Sequence, residues 1–130
     1  DAILATFNAP RLDPEHAANA IRAALEIQAL LQAQTFGDGL VLRARIGINT
    51  GVVVHGLIGT PDRLGYTVIG DEVNIAARLE ALNKEHGTWI IVSEQTRERA
   101  GTQRSACVLL GEVQVRGRTA PTRIYRVEAG

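Results

Sequence analysis

The sequence predicts an α+β fold in which helices cover an antiparallel sheet, in the order β-α-β-β-α-β-α-β-β. Apolar residues recur at helical spacing over residues 17–31, and a glycine-acid pair precedes a second helix at residues 71–85. Residues 40–49 alternate between two faces, one entirely apolar and the other carrying Arg43, Arg45 and Asn49, as a half-buried strand does. With 130 residues, 45% of them hydrophobic, the chain is long enough for one modest core.

The first half of the chain supplies a strand, a helix and a predicted hairpin. Residues 1–7 form an apolar run of strand length, so we expect the chain to open inside a sheet and to belong to a larger unit. Residues 13–15, Asp-Pro-Glu, combine a cap acceptor with proline at the first helical position. Two strands, at residues 40–49 and 52–57, are then expected to pair as a hairpin.

The second half begins with a polar excursion at residues 57–65, predicted as a loop. The elements expected after it are short and are bounded by turn residues. They are a strand at 66–69, a helix at 71–85, a strand at 89–92, a helix at 93–99 and strands at 106–116 and 122–128.

Charge and cysteine content restrict the class of protein. Fourteen basic residues balance fourteen acidic ones, which does not favour nucleic acid or an anionic membrane as partner. The single cysteine, Cys107, excludes an internal disulfide and agrees with a reducing compartment. No apolar run reaches the ~20 residues of a membrane helix. We therefore expect a cytoplasmic location with no direct membrane segment.

Two polar residues on the second long helix carry the first chemical signal. Asn74 and Arg78 are four residues apart, so they share one helix face with about 6 Å of rise between them. Beside a nucleotide, the amide can position a ribose and the guanidinium can stabilise charge growing on a phosphate. Taken alone, the pair is more typical of a solvated helix face.

The surrounding sequence changes that interpretation. Residues 66–80 read YTVIGDEVNIAARLE and resemble the class III nucleotide cyclase catalytic domain, with the aromatic Tyr66, a base-reading Thr67, a glycine turn, then Asn74 and Arg78. Three further segments are similar to family motifs in the expected order. They are the strand after a metal-binding aspartate at 1–7, R-x-G-I-x-x-G at 45–51, and the V-K-G-K turn with its closing strand at 115–118 and 124–125.

This resemblance covers the whole chain and implies a ferredoxin-like nucleotide cyclase fold. Residues 1–130 would be one catalytic domain lacking its first strand, the following helices and its second strand. The implied reaction is attack of the ribose 3'-hydroxyl on the α-phosphate, which gives a 3',5'-cyclic nucleotide and pyrophosphate. Two divalent cations, Mg²⁺ or Mn²⁺, would assist it. Asp1 matches one of the two metal-binding aspartates.

The resemblance also assigns roles to the other motif residues. Asn74 would orient the ribose, and Arg78 would stabilise the pentacoordinate phosphate. Arg45 and Arg116 would hold the triphosphate, although the family more usually has lysine at the position of Arg116. Thr67 matches the threonine variant of adenine readers in a bacterial, soluble-type branch, so ATP is favoured over GTP.

The family shares each active site between two head-to-tail subunits. The resemblance therefore implies a homodimer, with the loop at residues 57–65 reaching across to the partner. Asp1 and Arg45 would come from one subunit. The other would supply Thr67, Asn74, Arg78 and Arg116. Bicarbonate activation recurs in this branch, and a sensor domain is expected elsewhere in the parent protein.

Three alternatives to an adenylate cyclase stay open at this point. A guanylate cyclase differs only in base choice, and the lysine expected to read the base with Thr67 would stand four residues before Asp1, outside this chain. A noncatalytic cyclase-like module would bind nucleotide or serve regulatory dimerisation. A diguanylate cyclase is disfavoured because its G-G-D/E-E-F signature is absent from the sequence. The chain by itself is expected to make little cyclic nucleotide.

Overall fold

A computed structural model of the chain describes residues 2–115 and 118–128. The fold is α+β as predicted. The order of helices and strands is α-β-β-β-α-β-α-β-β rather than the predicted β-α-β-β-α-β-α-β-β, because residues 2–7 form no strand and three strands separate α1 from α2. The elements are α1 (His16–Ala33), β1 (Ile46–Ile48), β2 (Val54–Thr60), β3 (Arg63–Ile69), α2 (Asp71–His86), β4 (Ile90–Ser93), α3 (Glu94–Glu98), a 3₁₀ helix (Gly101–Ala106), β5 (Cys107–Val113) and β6 (Thr122–Val127).

The strands form one four-stranded sheet and one separate hairpin. The sheet has the order β1-β4-β6-β5, in which β1 and β4 run parallel and the other pairs are antiparallel. The separate hairpin joins β2 to β3, with Thr60 opposite Arg63 at the turn. None of the helices within residues 2–115 and 118–128 has the length and apolar character that a bilayer crossing demands.

Three strand predictions were wrong. Residues 40–49 do not pair with 52–57, because β1 joins β4 through the crossover helix α2 while β2 takes β3 as its partner. The predicted loop at 57–65 is instead the tip of that hairpin, since two residues suffice for the turn. The strand expected at residues 1–7 is not formed over the described residues 2–7.

The opening segment shows why an apolar run alone does not make a strand. Ile3 is 97% exposed and Leu4 56% exposed. A strand needs a neighbour for its backbone N–H and C=O groups. No described strand pairs with residues 2–7. Their apolar composition alone therefore does not make them a strand.

Both faces of the sheet are covered by a long helix. Ile90 and Val92 of β4 pack with Ile21 of α1, whereas the intervening Ile91 packs with Leu79 of α2. Alternate residues of a strand point to opposite faces, so α1 and α2 cover opposite sides of the sheet. This two-sided burial explains why β4 is apolar at three successive positions.

Helix α2 lies unusually close to β1. A Cβ on Gly47 would overlap the carbonyl oxygen of Ala76 and the amide of Glu80, so glycine is required here by space. The fully buried Asn83 donates from its amide to the carbonyl of Ile46 at 3.0 Å and accepts from the hydroxyl of Thr88 at 2.8 Å. These contacts fix the helix relative to the sheet.

Candidate active site

The predicted catalytic face lies on the first half of α2. Ile75 and Leu79 are 7% and 1% exposed and set the side of the helix that meets the core. Asn74 and Arg78 precede them by one position each and are exposed. Because residues four apart share a helix face, the amide and the guanidinium stand side by side outside the core. The arrangement matches the predicted geometry, while the roles of both residues stay predictions.

Arg78 is also anchored within the chain. Its Nη1 donates to the backbone carbonyl of Gln114, just after β5, at 2.7 Å. This bond occupies one of the five N–H donors of the guanidinium. Arg78 thus connects α2 to the segment that precedes the predicted phosphate-binding turn.

Thr67 lies on β3, close to the start of α2. It pairs with Gly56 across the hairpin and is half-buried, whereas its neighbour Val68 is 5% exposed. Adjacent strand residues face opposite sides, so Thr67 points away from the side on which Val68 is buried. The structure therefore presents this hydroxyl on the opposite hairpin face from Val68.

Arg45 lies toward the other end of α2. The guanidinium carbon of Arg45 is 6.0 Å from the centroid of the Trp89 ring, and that of Arg43 is 4.1 Å away. The next residue along the chain, Ile46, is bonded to Asn83, which is nine residues and about 13 Å of helix rise beyond Asn74. The backbone next to Arg45 therefore contacts the second half of α2, whereas Asn74 lies in its first turn.

Glu72 is a site residue that sequence reasoning missed. Its Oε2 accepts from Nδ2 of Asn49 at 2.6 Å, and its Oε1 forms an ion pair with Nη2 of Arg118. The same Asn49 amide also bonds the backbone carbonyl of Glu72 at 2.9 Å. The available signal was an acid in the first turn of α2, between the glycine turn and Asn74, with two arginines in the late turn to pair with it.

Two predicted site residues, Asp1 and Arg116, fall outside the described residues, so their roles stay predictions. Within residues 2–115 and 118–128, no group of three or more His, Cys, Asp or Glu side chains could hold a metal ion. The two-cation site that the resemblance implies, with Asp1 as one ligand, stays a prediction.

The β2-β3 hairpin is the most apolar exposed part of the site region. Leu57, Ile58 and Leu64 are 69%, 51% and 58% exposed. Leu57 and Ile58 are successive residues of one strand, so they point to opposite faces of the hairpin. Leu64 stands opposite Gly59 and so shares a face with Leu57. Each face of the hairpin therefore exposes apolar side chains, which is typical of an interaction site.

The whole chain was compared with known protein families. The family described as "Adenylate and Guanylate cyclase catalytic domain" matches residues 1–129. The chain belongs to this family. Adenylate cyclase 1 of Rhizobium meliloti is 37% identical over 98% of the chain, and an adenylate cyclase of Anabaena cylindrica is 36% identical over 99% of it.

Solved cyclase structures include both base specificities. The guanylate cyclase domain of RhGC from Catenaria anguillulae, in complex with GTP, covers 95% of the chain with a TM-score of 0.76 and 28% identity. The adenylyl cyclase CyaB from P. aeruginosa also covers 95%, with a TM-score of 0.73 and the same 28% identity. The chain spans 65% of each of these structures, but 20% and 27% of the Rhizobium and Anabaena relatives.

The family membership confirms the predicted cyclase resemblance and its fold. An equal likeness to an adenylyl and a guanylyl cyclase structure leaves the nucleotide base undecided. The choice between ATP and GTP therefore has to be argued from the residues of the chain and from the activities for which its relatives are named.

Proposed function

We propose that this chain is the larger part of an adenylate cyclase catalytic domain that converts ATP into 3',5'-cyclic AMP and pyrophosphate. The observation that carries the proposal is the exposed pair Asn74 and Arg78 on a rigidly packed α2, in a chain of the cyclase family. The Rhizobium and Anabaena relatives are both adenylate cyclases, which favours ATP as the substrate.

In this proposal α2 stabilises the transition state. The Asn74 amide holds the ribose so that its 3'-hydroxyl lies in line with the α-phosphate. The Arg78 guanidinium meets the negative charge that grows on the phosphate as the new bond forms. Because α2 is fixed by Asn83 and by the close approach at Gly47, both groups are positioned before the substrate arrives.

Thr67 is the proposed reader of the base. Its hydroxyl can accept a hydrogen bond from the amino group of adenine, and it can also donate one. A group with both capacities discriminates less sharply between adenine and guanine than a carboxylate, which only accepts. We therefore expect a preference for ATP rather than strict exclusion of GTP.

A homodimer is the proposed active form. The family resemblance implies that Arg45 and Arg78 act on one substrate from different subunits, and within one chain Arg45 lies beside Ile46, which Asn83 near the end of α2 holds. The exposed apolar hairpin offers a surface for that assembly. The proposal includes two divalent cations, with Asp1 as one of their ligands. It also includes a cytoplasmic location, activation by bicarbonate and a sensor domain outside the chain.

A noncatalytic, nucleotide-binding module is the second candidate. It requires only nucleotide-binding residues such as Asn74 and Arg78, which the described residues provide, and no pair of metal-binding aspartates. Such a module would bind ATP in the presence of Mn²⁺ without converting it.

The test is a product assay on the complete catalytic domain of the parent protein with Mn²⁺ and either ATP or GTP. We expect cyclic AMP to exceed cyclic GMP by about tenfold, because one hydrogen bond of moderate strength separates the two bases. Equal or reversed product ratios would contradict the base assignment. Nucleotide binding without any product would favour the noncatalytic module.

A further inference from the structure

The carboxylate of Glu72 joins two segments that are distant in sequence. On one side it accepts from the Asn49 amide at 2.6 Å, and on the other it pairs with the guanidinium of Arg118. The side chains of Glu72 and Arg118 are 20% and 31% exposed, so the pair is largely enclosed. Glu72 also stands two residues before Asn74 on α2.

The loop after β1 is shaped around this carboxylate. A Cβ on Gly51 would overlap the Glu72 side chain, so the backbone at Gly51 approaches the carboxylate as closely as glycine permits. Asn49 binds both the side chain and the backbone carbonyl of Glu72. This loop is therefore held closely against the start of α2.

The segment after β5 is tied to α2 at two points. Arg78 bonds the carbonyl of Gln114 at 2.7 Å, and Glu72 pairs with Arg118. The two anchors are six residues apart on the helix, which is about 9 Å of rise. Within the segment, Gln114 donates to the carbonyl of Arg118 at 2.6 Å, and the amide of Arg118 donates to the carbonyl of Val115 at 3.0 Å.

The segment from Gln114 to Arg118 includes a residue predicted to bind the substrate. In sequence, the proposed phosphate-binding Arg116 stands between the two anchored residues Gln114 and Arg118. Val115, immediately before it, is 5% exposed and packs in the same core cluster as Leu79 of α2. Gln114 and Arg118, on either side of Arg116 in sequence, are therefore both bonded to the helix that carries Asn74 and Arg78.

We propose that Glu72 is a positioning residue for cyclisation. It holds Arg118, two residues after the predicted phosphate-binding Arg116 in sequence, against the helix that carries Asn74 and Arg78, and it does not itself contact the nucleotide. This inference rests on the proposed function. Because Arg118 keeps about a third of its side chain exposed, losing Glu72 does not leave a fully buried unpaired charge, and the main expected consequence is geometric. Small displacements of charged groups lower turnover strongly, by up to about 100-fold.

The experiment uses the complete catalytic domain of the parent protein and measures kcat and KM for ATP together with the melting temperature. We expect Glu72→Ala to lower kcat by about 10- to 100-fold with KM changed by less than about threefold. Arg118→Ala should give a similar loss, and Arg118→Lys should retain most of the activity because it keeps the charge that faces Glu72. The matched control is Glu128→Gln, which removes an exposed ion pair with Arg126 and should change nothing.

A double-mutant cycle tests whether Glu72 acts through Arg118. If it does, Glu72→Ala combined with Arg118→Ala should lose no more kcat than the worse single variant. Multiplying losses would overturn the proposal, as would wild-type kcat in Glu72→Ala or a kcat loss that follows only from a lower melting temperature.

A second readout separates this inference from the proposed function. If the wild-type domain makes no cyclic nucleotide, the proposed function fails, and amide hydrogen exchange then decides the role of Glu72. Faster exchange at the Arg118 amide in Glu72→Ala, with unchanged exchange in Glu128→Gln, supports the anchoring of the turn. Unchanged exchange at Arg118 overturns it.

Discussion

Helix α2 and the β2-β3 hairpin are consecutive in the chain but differ in how they are completed. The core face of α2 is buried within the chain, with Leu79 at 1% exposure and Asn83 at 0%. The hairpin leaves Leu57 and Leu64 more than half exposed. Apolar surface that the chain itself does not cover is a candidate for contact with another subunit. The core face of α2 is thus completed by folding of the chain, and we propose that the hairpin surface is completed by a second subunit.

This difference agrees with the two roles in the proposed mechanism, in which α2 stabilises the transition state and the hairpin binds a second subunit. A group that stabilises developing charge is most effective when it is fixed before the reaction, because no reorganisation is then needed. The packing of α2 on β1 provides that rigidity for Asn74 and Arg78. A surface that binds a second subunit has the opposite requirement, since it has to stay accessible until assembly. The following predictions test each side of the comparison.

The largest effect is expected from the catalytic face. Arg78→Ala in the complete catalytic domain should lower kcat by about 100- to 1,000-fold, as the loss of a preorganised donor to a transition-state charge does. KM for ATP should change little, which steady-state kinetics would show. The control is Lys84→Ala on the last turn of the same helix, where the side chain is exposed. A large rise in KM with unchanged kcat would contradict the role given to Arg78.

The packing under that face is tested by Gly47→Ala. The added methyl would overlap the backbone of Ala76 and Glu80, so α2 has to shift away from β1. We expect a loss of about 1–3 kcal/mol in the free energy of unfolding, measured by denaturant titration. The matched control, Gly56→Ala on β2, adds a methyl where no atom lies within 4 Å. Equal stability of the two variants would show that α2 is not held closely.

The hairpin is tested by Leu57→Asp. Because Leu57 is 69% exposed, the substitution should leave the melting temperature of the monomer nearly unchanged. The dissociation constant of the dimer should rise at least about tenfold, which corresponds to about 1.4 kcal/mol. Sedimentation at a series of concentrations measures this. Leu30→Asp on α1, at a residue 60% exposed, is the control, and equal weakening by both would argue against the hairpin as the interface.

The smallest effect is expected at the base reader. Thr67→Ala should reduce the ratio of kcat/KM for ATP over GTP by about two- to tenfold, because one hydrogen bond of about 0.5–1.5 kcal/mol is lost. Thr67→Ser, which keeps the hydroxyl, should retain the ratio. Parallel assays with the two nucleotides give the comparison, and an unchanged ratio in Thr67→Ala would remove Thr67 from base recognition.

Local signals made α2 and the site on it predictable. The predicted helix at 71–85 agrees with Asp71–His86 because acids in its first turn and Gly87 after its last turn mark both ends. The side-by-side placement of Asn74 and Arg78 follows from helix periodicity alone. These features depend on residues close in sequence, which is why they could be read without a structure.

Features that depend on distant segments could not be read in the same way. Residues 40–49 alternate over their whole length, yet only Ile46–Ile48 forms a strand, since its partner β4 lies beyond α2. Glu72 was missed because its role arises where the loop at Asn49, the start of α2 and the turn at Arg118 meet. The charges of Glu72 and Arg118 are visible in the sequence, but their pairing is not, because the two residues are 46 positions apart.

The central claim is that ATP is cyclised at a site built by two subunits. The most direct measurement mixes two inactive variants of the complete catalytic domain, Arg45→Ala and Arg78→Ala, in equal amounts after dissociation of the dimers. If the two arginines act on one substrate from different subunits, half of the dimers are mixed and each has one intact site, so cyclic AMP production should return to about a quarter of the wild-type rate. A mixture no more active than the separate variants would contradict the account.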